Sequence, residues 1–324
     1  MTPLAPSAIH ARKRPVAVAS MFVAELAWAL VVATPVHEWV RRAWGAHPDG
    51  DAVLFARGGR DLLVWLGQED AAMSVTARTT LALLVVGTLL LQVPFGALVA
   101  SLAFDREIAA PPAGEATAPS RATRALPMAT AWKIGIASWL PLATLLAFSV
   151  LVSVIVLSLG GILAALVESG LTASLGDARS FTLRVVFFAL FEAIAAVVGV
   201  VVDLARAAVV REIGIAHTAG TSAAGWRTML RALGTALATA RMSLGRASLD
   251  WTGRCVIGIA LIAIGFVAAN ALGGRGGAAL GGLFVIHQAV VLGRVALRAS
   301  WMARALALVA PVQDAREAKR SSAT

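Results

Sequence analysis

Seven ionisable side chains lie inside long apolar runs or at their edges: Glu25, Glu192, Asp203, Arg206, His287, Arg294 and Arg298. A charge at mid-bilayer costs about 3 kcal/mol on insertion scales, so such groups normally face the protein interior and mark ion or proton pathways. Two carboxylates and an imidazole at one depth are the residue types that relay protons or hold a cation. Counted along the runs at 1.5 Å per residue, Glu25, Glu192 and His287 fall near the midplane, with Gln92 and Gln288. Asp203, Arg206, Arg294 and Arg298 fall in the inner third or at its edge.

Helical phase sorts these residues into stripes. Glu192 and Asp203 are eleven apart, close to three turns, and share a face. Asp203 and Arg206 stand at i, i+3, where side chains meet. His287, Arg294 and Arg298 are spaced seven and four along one later helix. The two stripes neutralise each other only if their helices are neighbours, and these two run the same way. By depth Arg298 suits Asp203 best, Arg294 is within reach, and Arg206 offers a local alternative. Two readings follow: ion pairs that fix helix packing, or a functional polar seam. In the stretch "VVGVVVDLARAAVVREIG", residues 197 to 214, Arg211 and Glu212 are expected past the membrane edge.

The elements that must carry these residues are membrane helices. Hydrophobic residues make up 59 % of the 324, charged residues 14 %, and the mean hydropathy is +0.81. Soluble domains carry about 25 % charged residues. Six segments are long enough to cross about 30 Å of hydrocarbon: about 16–36, 80–104, 134–166, 182–207, 254–272 and 279–303. The expected fold class is therefore all-α, an integral membrane bundle of about six transmembrane helices with a cytoplasmic amphipathic helix. Residues 1–15 form an N-terminal tail and 16–324 a single helical membrane domain. The first apolar run exceeds the length of a signal-peptide core. It is followed by "HEWVRR" without a convincing cleavage site, so it reads as an uncleaved span. Pro141 is expected to kink the over-long third segment or to mark its entry to the bilayer.

Charge orients the bundle. With the N-terminus in the cytoplasm, 20 of the basic residues fall on the inner side and 8 on the outer. That is the positive-inside pattern, and it places both termini in the cytoplasm of a bacterial inner membrane. The net charge of +10 is thereby explained by topology and by anionic lipid at the cytoplasmic face, not by nucleic acid. Arginine outnumbers lysine 25 to 3, and tyrosine is absent. This composition suggests a high-GC genome.

Between spans, "VLFARGGRDLLVWLGQ" carries Leu62, Leu63, Trp65 and Leu66 and reads as a short helix lying on the membrane or capping the bundle. Residues 105–133 read as a Pro/Ala-rich flexible linker. The connection 208–253 carries Trp226, Met229, Leu230, Leu233 and Leu237 at helical spacing among arginines. It is read as a basic amphipathic helix on the cytoplasmic surface; the alternative is that it packs under the bundle. Residues 304–324 form the C-terminal tail.

Catalytic signatures are missing. There is no GxxxxGK[ST], no GxGxxG after a strand, and no HExxH: "HEWV" has Arg41 where the second histidine is needed. "HPDGD", residues 47–51, lacks the ligand number of a calcium loop and reads as a turn. "GGRGGAALGG", with Gly273, Gly277 and Gly281, reads as a tight turn rather than a close-approach motif or an anion nest. Cys255 is alone, so no intramolecular disulfide exists, and it reads as a packing residue.

The order of these features resembles multi-pass inner-membrane proteins of high-GC bacteria. The shared features are a basic start, a first span with a long outer loop, a Pro-rich inner linker, and two helical pairs ending in "DLAR" and "HQAVVLGRVALRASW" types of sequence. The resemblance implies no activity and carries over no site residues. The expected function is a non-catalytic scaffold or accessory subunit, without cofactor or metal, embedded in lipid beside a membrane-protein partner. The alternative is a small transporter or permease subunit using Glu25, Glu192, Asp203 and His287. A membrane-embedded enzyme ranks last.

Overall fold

The computed structural model describes residues 2–3, 11–44, 70–107, 123–221, 225–272 and 277–322. The expected interfacial helix around Leu62–Leu66, the "HPDGD" turn and most of the Pro/Ala-rich linker lie outside the described residues. So does Gly273.

Among the described residues seven α-helices carry the fold: α1 Pro15–Trp44, α2 Asp70–Leu90, α3 Gln92–Ala103, α4 Met128–Leu175, α5 Asp177–Thr218, α6 Trp226–Leu272 and α7 Ala278–Ser321. A small antiparallel ribbon joins β1 Thr2–Pro3, β2 Phe104–Glu107 and β3 Thr123–Ala125, in that order. Thr2 lies opposite Asp105, and Asp105 opposite Ala125. Residues 105–133 are thus not wholly a linker: the ribbon occupies part of each side, and α4 starts at Met128.

Among the described residues, six helical stretches are long and apolar enough to cross a membrane, with α2 and α3 together supplying one of them. Five of the six expected spans lie inside a longer helix; the expected 80–104 crosses the break between α2 and α3 at Leu91 and ends one residue into β2. The 48 residues of α4 reach roughly 72 Å at 1.5 Å per residue, more than twice the hydrocarbon thickness. This helix continues through Pro141, which is buried. The turn from α4 to α5 is a single residue, Gly176, at φ 76°, a backbone region glycine enters without a Cβ clash. Gly277 at φ 65° likewise opens α7, in keeping with the turn reading, and a Cβ on Gly281 would touch nothing.

The core sits at one end of the bundle. Its members are Ala17 and Met21 at the start of α1, Phe95–Phe104 in and after α3, and Ala131, Ile134, Leu142 and Leu145 in the first part of α4. They continue with Val200–Ile213 late in α5, Ala232–Ala247 early in α6, and Val295–Val309 in α7. Because the spans alternate in direction, these segments all meet at the same end. Every residue of α3 except Val93 is buried, so α3 is the post around which the others pack. At the opposite end the helices splay. In five of the six spans only 6 to 17 % of the most apolar stretch is buried. Leu151, Ile155, Phe181, Phe188, Ile259 and Phe284 all stand exposed there. A soluble protein does not leave so much apolar surface open, and lipid is its natural cover.

Candidate functional site

Asp203 lies on the late, core-facing part of α5. The helix places Arg206 one turn onward, and Arg206 NH1 donates to Asp203 Oδ1 at 2.9 Å. The other carboxylate oxygen accepts from Trp301 Nε1 on α7, also at 2.9 Å. Further along, Gln313 Nε2 donates to the Ala208 carbonyl at 3.0 Å, and Arg211 NH1 donates to Gln313 Oε1 at 3.1 Å. Contacts at 203 with 301, then 208 and 211 with 313, advance together, so α5 and α7 are parallel neighbours. The sequence argument required this arrangement.

The predicted partner of Asp203 is different, however. Arg298 points to α1 and α3: its NH1 is 3.9 Å from Glu25 Oε1, and its guanidinium stands 4.4 Å from the Phe95 ring centroid. Asp203, Arg206, Glu25 and Arg294 all lie within charge–charge range of Arg298, but no direct hydrogen bond joins it to Asp203. The physical reason is register. Trp301 lies three residues beyond Arg298 on α7 and reaches Asp203 Oδ2, leaving Arg298 about one turn short along the helix. Glu25 was not paired with any residue by sequence. Its partner comes from a helix more than 250 positions away, which periodicity does not reveal.

Five of the seven predicted residues gather: Glu25, Asp203, Arg206 and Arg294 stand around Arg298, and Glu192 and His287 are not among them. Glu25 and Arg298 join α1 to α7, while Asp203 and Arg206 join α5 to α7 through Trp301. Glu192 is exposed on the splayed part of α5 and His287 on that of α7; neither pairs with a described residue. His287 lies against Gly265 of α6. Arg294 is exposed. Arg206 is 8 % exposed, and its Nε has no hydrogen-bond partner among the described residues.

A second set of charges escaped the sequence reading. Arg211, expected past the membrane edge, is 3 % exposed and donates to Asp314 Oδ1 at 2.7 Å. Glu212 takes Arg231 of α6 at 2.7 Å. Arg316 donates to Thr235 Oγ1 at 3.0 Å and to the Gly234 carbonyl at 3.2 Å. Arg304 donates to Asp250 Oδ2 at 2.8 Å. These contacts tie α5, α6 and α7 together at the packed end. The available signal was a run of acids and amides, Asp250, Gln313 and Asp314, inside otherwise Ala-rich helical sequence. Counting arginines for topology obscured it.

Helix α6 also differs from its expected role. The connection 226–253 is continuous with the fifth span, with one non-helical residue at Ser243 (φ −139°, ψ 15°). Its buried face is Thr228, Ala232, Thr235, Ala236, Thr239 and Ala240, whereas Trp226, Leu230 and Leu237 stand exposed. The small-residue face packs in the bundle with Met229 and Leu233 against the core, and the outer apolar face is open.

No protein-family model, curated protein or solved structure matches this chain. Among the described residues, no group of three or more His, Cys, Asp or Glu is placed to hold a metal ion. What the charged arrangement at the packed end does physically is hold helices in register, since its pairs run from α1 to α7, from α5 to α6 and α7, and from α6 to α7.

Proposed function

We propose that this chain is a non-catalytic scaffold or accessory subunit of a bacterial inner membrane, with both termini in the cytoplasm and a partner membrane helix against α5. Glu192 carries this reading. Its carboxyl stands exposed on an apolar flank, between Phe188 and Ile194, with no described residue to pair with it. Left against hydrocarbon, such a group costs about 3 kcal/mol on insertion scales, and a donor on a neighbouring helix removes that cost. The transport reading gains nothing comparable: Glu25 is engaged by Arg298, and both carboxylate oxygens of Asp203 accept hydrogen bonds. The wide cleft between α1, α6 and α7 is lined by neither of them, nor by Glu192 or His287.

Ala189 and Ala193 flank Glu192 and are also exposed. A photo-crosslinking side chain at either position, activated in intact membranes, is expected to yield one discrete protein adduct whose amount falls in the Glu192→Leu background. Adducts with lipid alone would reject the partner helix. Uptake of a solute by the purified chain in vesicles, abolished by Glu192→Gln, would replace the scaffold reading with transport.

A further inference from the structure

A cleft of about 1360 Å³ opens between α1, α6 and α7. Its three walls change character at the same level. On α7 the lining stripe descends from Leu292, Gly293 and Leu297 to Ser300 and Arg304. On α6, Leu261 and Ile257 give way to Arg254, and on α1 Val18 gives way to Pro15 and then, in the turn just before the helix, to Lys13. The apolar part faces the splayed end, and the basic part lies at the packed end. From Leu292 to Arg304 is roughly 18 Å at 1.5 Å per residue, close to the about 15 Å of one leaflet of hydrocarbon.

The basic end has charge to spare. Arg304 is paired with Asp250. The hydrogen bonds of Arg254 go instead to the Asp250 carbonyl at 2.6 Å and to Ser300 Oγ at 3.3 Å, neither of them a carboxylate. Lys13 is exposed and has no described partner. Among the described residues, Lys13, Arg254 and Arg304 against the carboxylate of Asp250 leave two positive charges at the mouth of an apolar groove.

We infer that this groove binds one anionic glycerophospholipid, its phosphate held by Lys13, Arg254 and Ser300 and one acyl chain laid along Leu261, Leu292 and Leu297. A basic pocket between membrane helices is the setting in which anionic headgroups bind. A soluble phosphate would account for the basic end but not for an apolar wall as long as a leaflet is deep. The inference rests on the membrane reading of the chain, not on the partner helix at Glu192, which lies on a different helix.

Native mass spectrometry of the full chain, taken from detergent after incubation with phosphatidylglycerol or phosphatidylcholine, tests it. One phosphatidylglycerol is expected to remain bound, and phosphatidylcholine to dissociate. The double substitution Lys13→Gln and Arg254→Gln is expected to weaken retention at least roughly tenfold, at about 1 kcal/mol for each basic residue near an anionic surface. Arg246→Gln, exposed on α6 and outside the cleft, leaves retention unchanged. Ala296→Phe fills the apolar wall while keeping the basic end, and it too should release the lipid. If soluble glycerol phosphate competes the lipid away, or Ala296→Phe retains it fully, the site recognises only a phosphate and the inference fails. Equal retention of the two lipids, or of phosphatidylglycerol by the double variant, also overturns it. Recovery of the chain in the supernatant of a membrane preparation would instead reject the membrane reading.

Discussion

At the residue scale, Asp203 has both carboxylate oxygens engaged, one by Arg206 and one by Trp301. Its side chain is 18 % exposed and that of Arg206 is 9 %. Removing one member of a buried pair strands the other and costs about 3–5 kcal/mol, whereas removing both can be nearly neutral. Asp203→Leu is therefore expected to lower stability by about 3 kcal/mol, read as a fall in the unfolding midpoint in detergent. Asp203→Leu with Arg206→Leu should recover most of that loss. Trp301→Phe removes one hydrogen bond to a charged group, about 1.5–3 kcal/mol, and should fall below the single aspartate change. If the double variant is no more stable than the single, the pair does not account for the effect. The local half of this arrangement was legible because i, i+3 spacing on a helix is a short-range fact. The Trp301 half was not: it depends on how two helices slide past each other, and a shift of one turn exchanges Arg298 for Trp301. Arg298 itself reaches Glu25, a contact that no spacing within one helix foretells.

At the scale of elements, the spans were legible because hydropathy over 20 residues is a property of the sequence alone. The packing faces were not. In α6 the apolar residues at helical spacing divide: Trp226, Leu230 and Leu237 are exposed, Met229 and Leu233 pack against the core, and the threonine and alanine face, which the sequence did not mark, is buried. In lipid, large apolar side chains gain little by burial, and small residues let helices approach. Replacing Trp226, Leu230 and Leu237 with serine is therefore expected to leave the unfolding midpoint close to wild type while reducing contact with lipid. Tryptophan quenching by brominated lipid that falls on Trp226→Phe checks that contact, and quenching unchanged by the substitution would remove it. Ala236→Leu, on the buried face, should cost about 1–3 kcal/mol by overpacking. A sharper case is the crossing of α3 and α4. A Cβ on Gly135 would collide with the Val93 carbonyl oxygen and come within 2.8 Å of the Ala97 nitrogen. Backbone atoms there have no rotamer by which to yield. Gly135→Ala should destabilise the bundle by at least about 2 kcal/mol, while Gly161→Ala, which meets nothing within 4 Å, should not. Equal midpoints for the two variants would show that α3 and α4 do not cross so closely.

At the scale of the whole molecule, one end is a packed core crossed by ion pairs and the other is a spread of apolar helices. Hydrogen exchange in detergent should show this as two classes of amide. The slowest are expected around residues 95–103, 204–211 and 302–310, where burial is nearly complete, and the faster ones along the splayed halves. Uniform exchange would deny the asymmetry. Fusions reporting membrane sidedness should place both termini in the cytoplasm, as the sorting of arginines predicts; opposite sides would overturn the six-span topology. The sequence carried the number of spans and the charge bias, but not the asymmetry, which arises only when six helix ends are seen together. The centre of the packed end is α3, and much of its enclosure comes from late segments: Val200–Ile213, Ala232–Ala247 and Val295–Val309. During synthesis, therefore, the second span leaves the translocon with its most occluded turn still uncovered. That turn stays open until some 200 more residues have been made. A ribosome stalled anywhere before residue 309 would leave a membrane protein whose keystone is in place but whose arch is unclosed, the kind of product that quality-control proteases recognise.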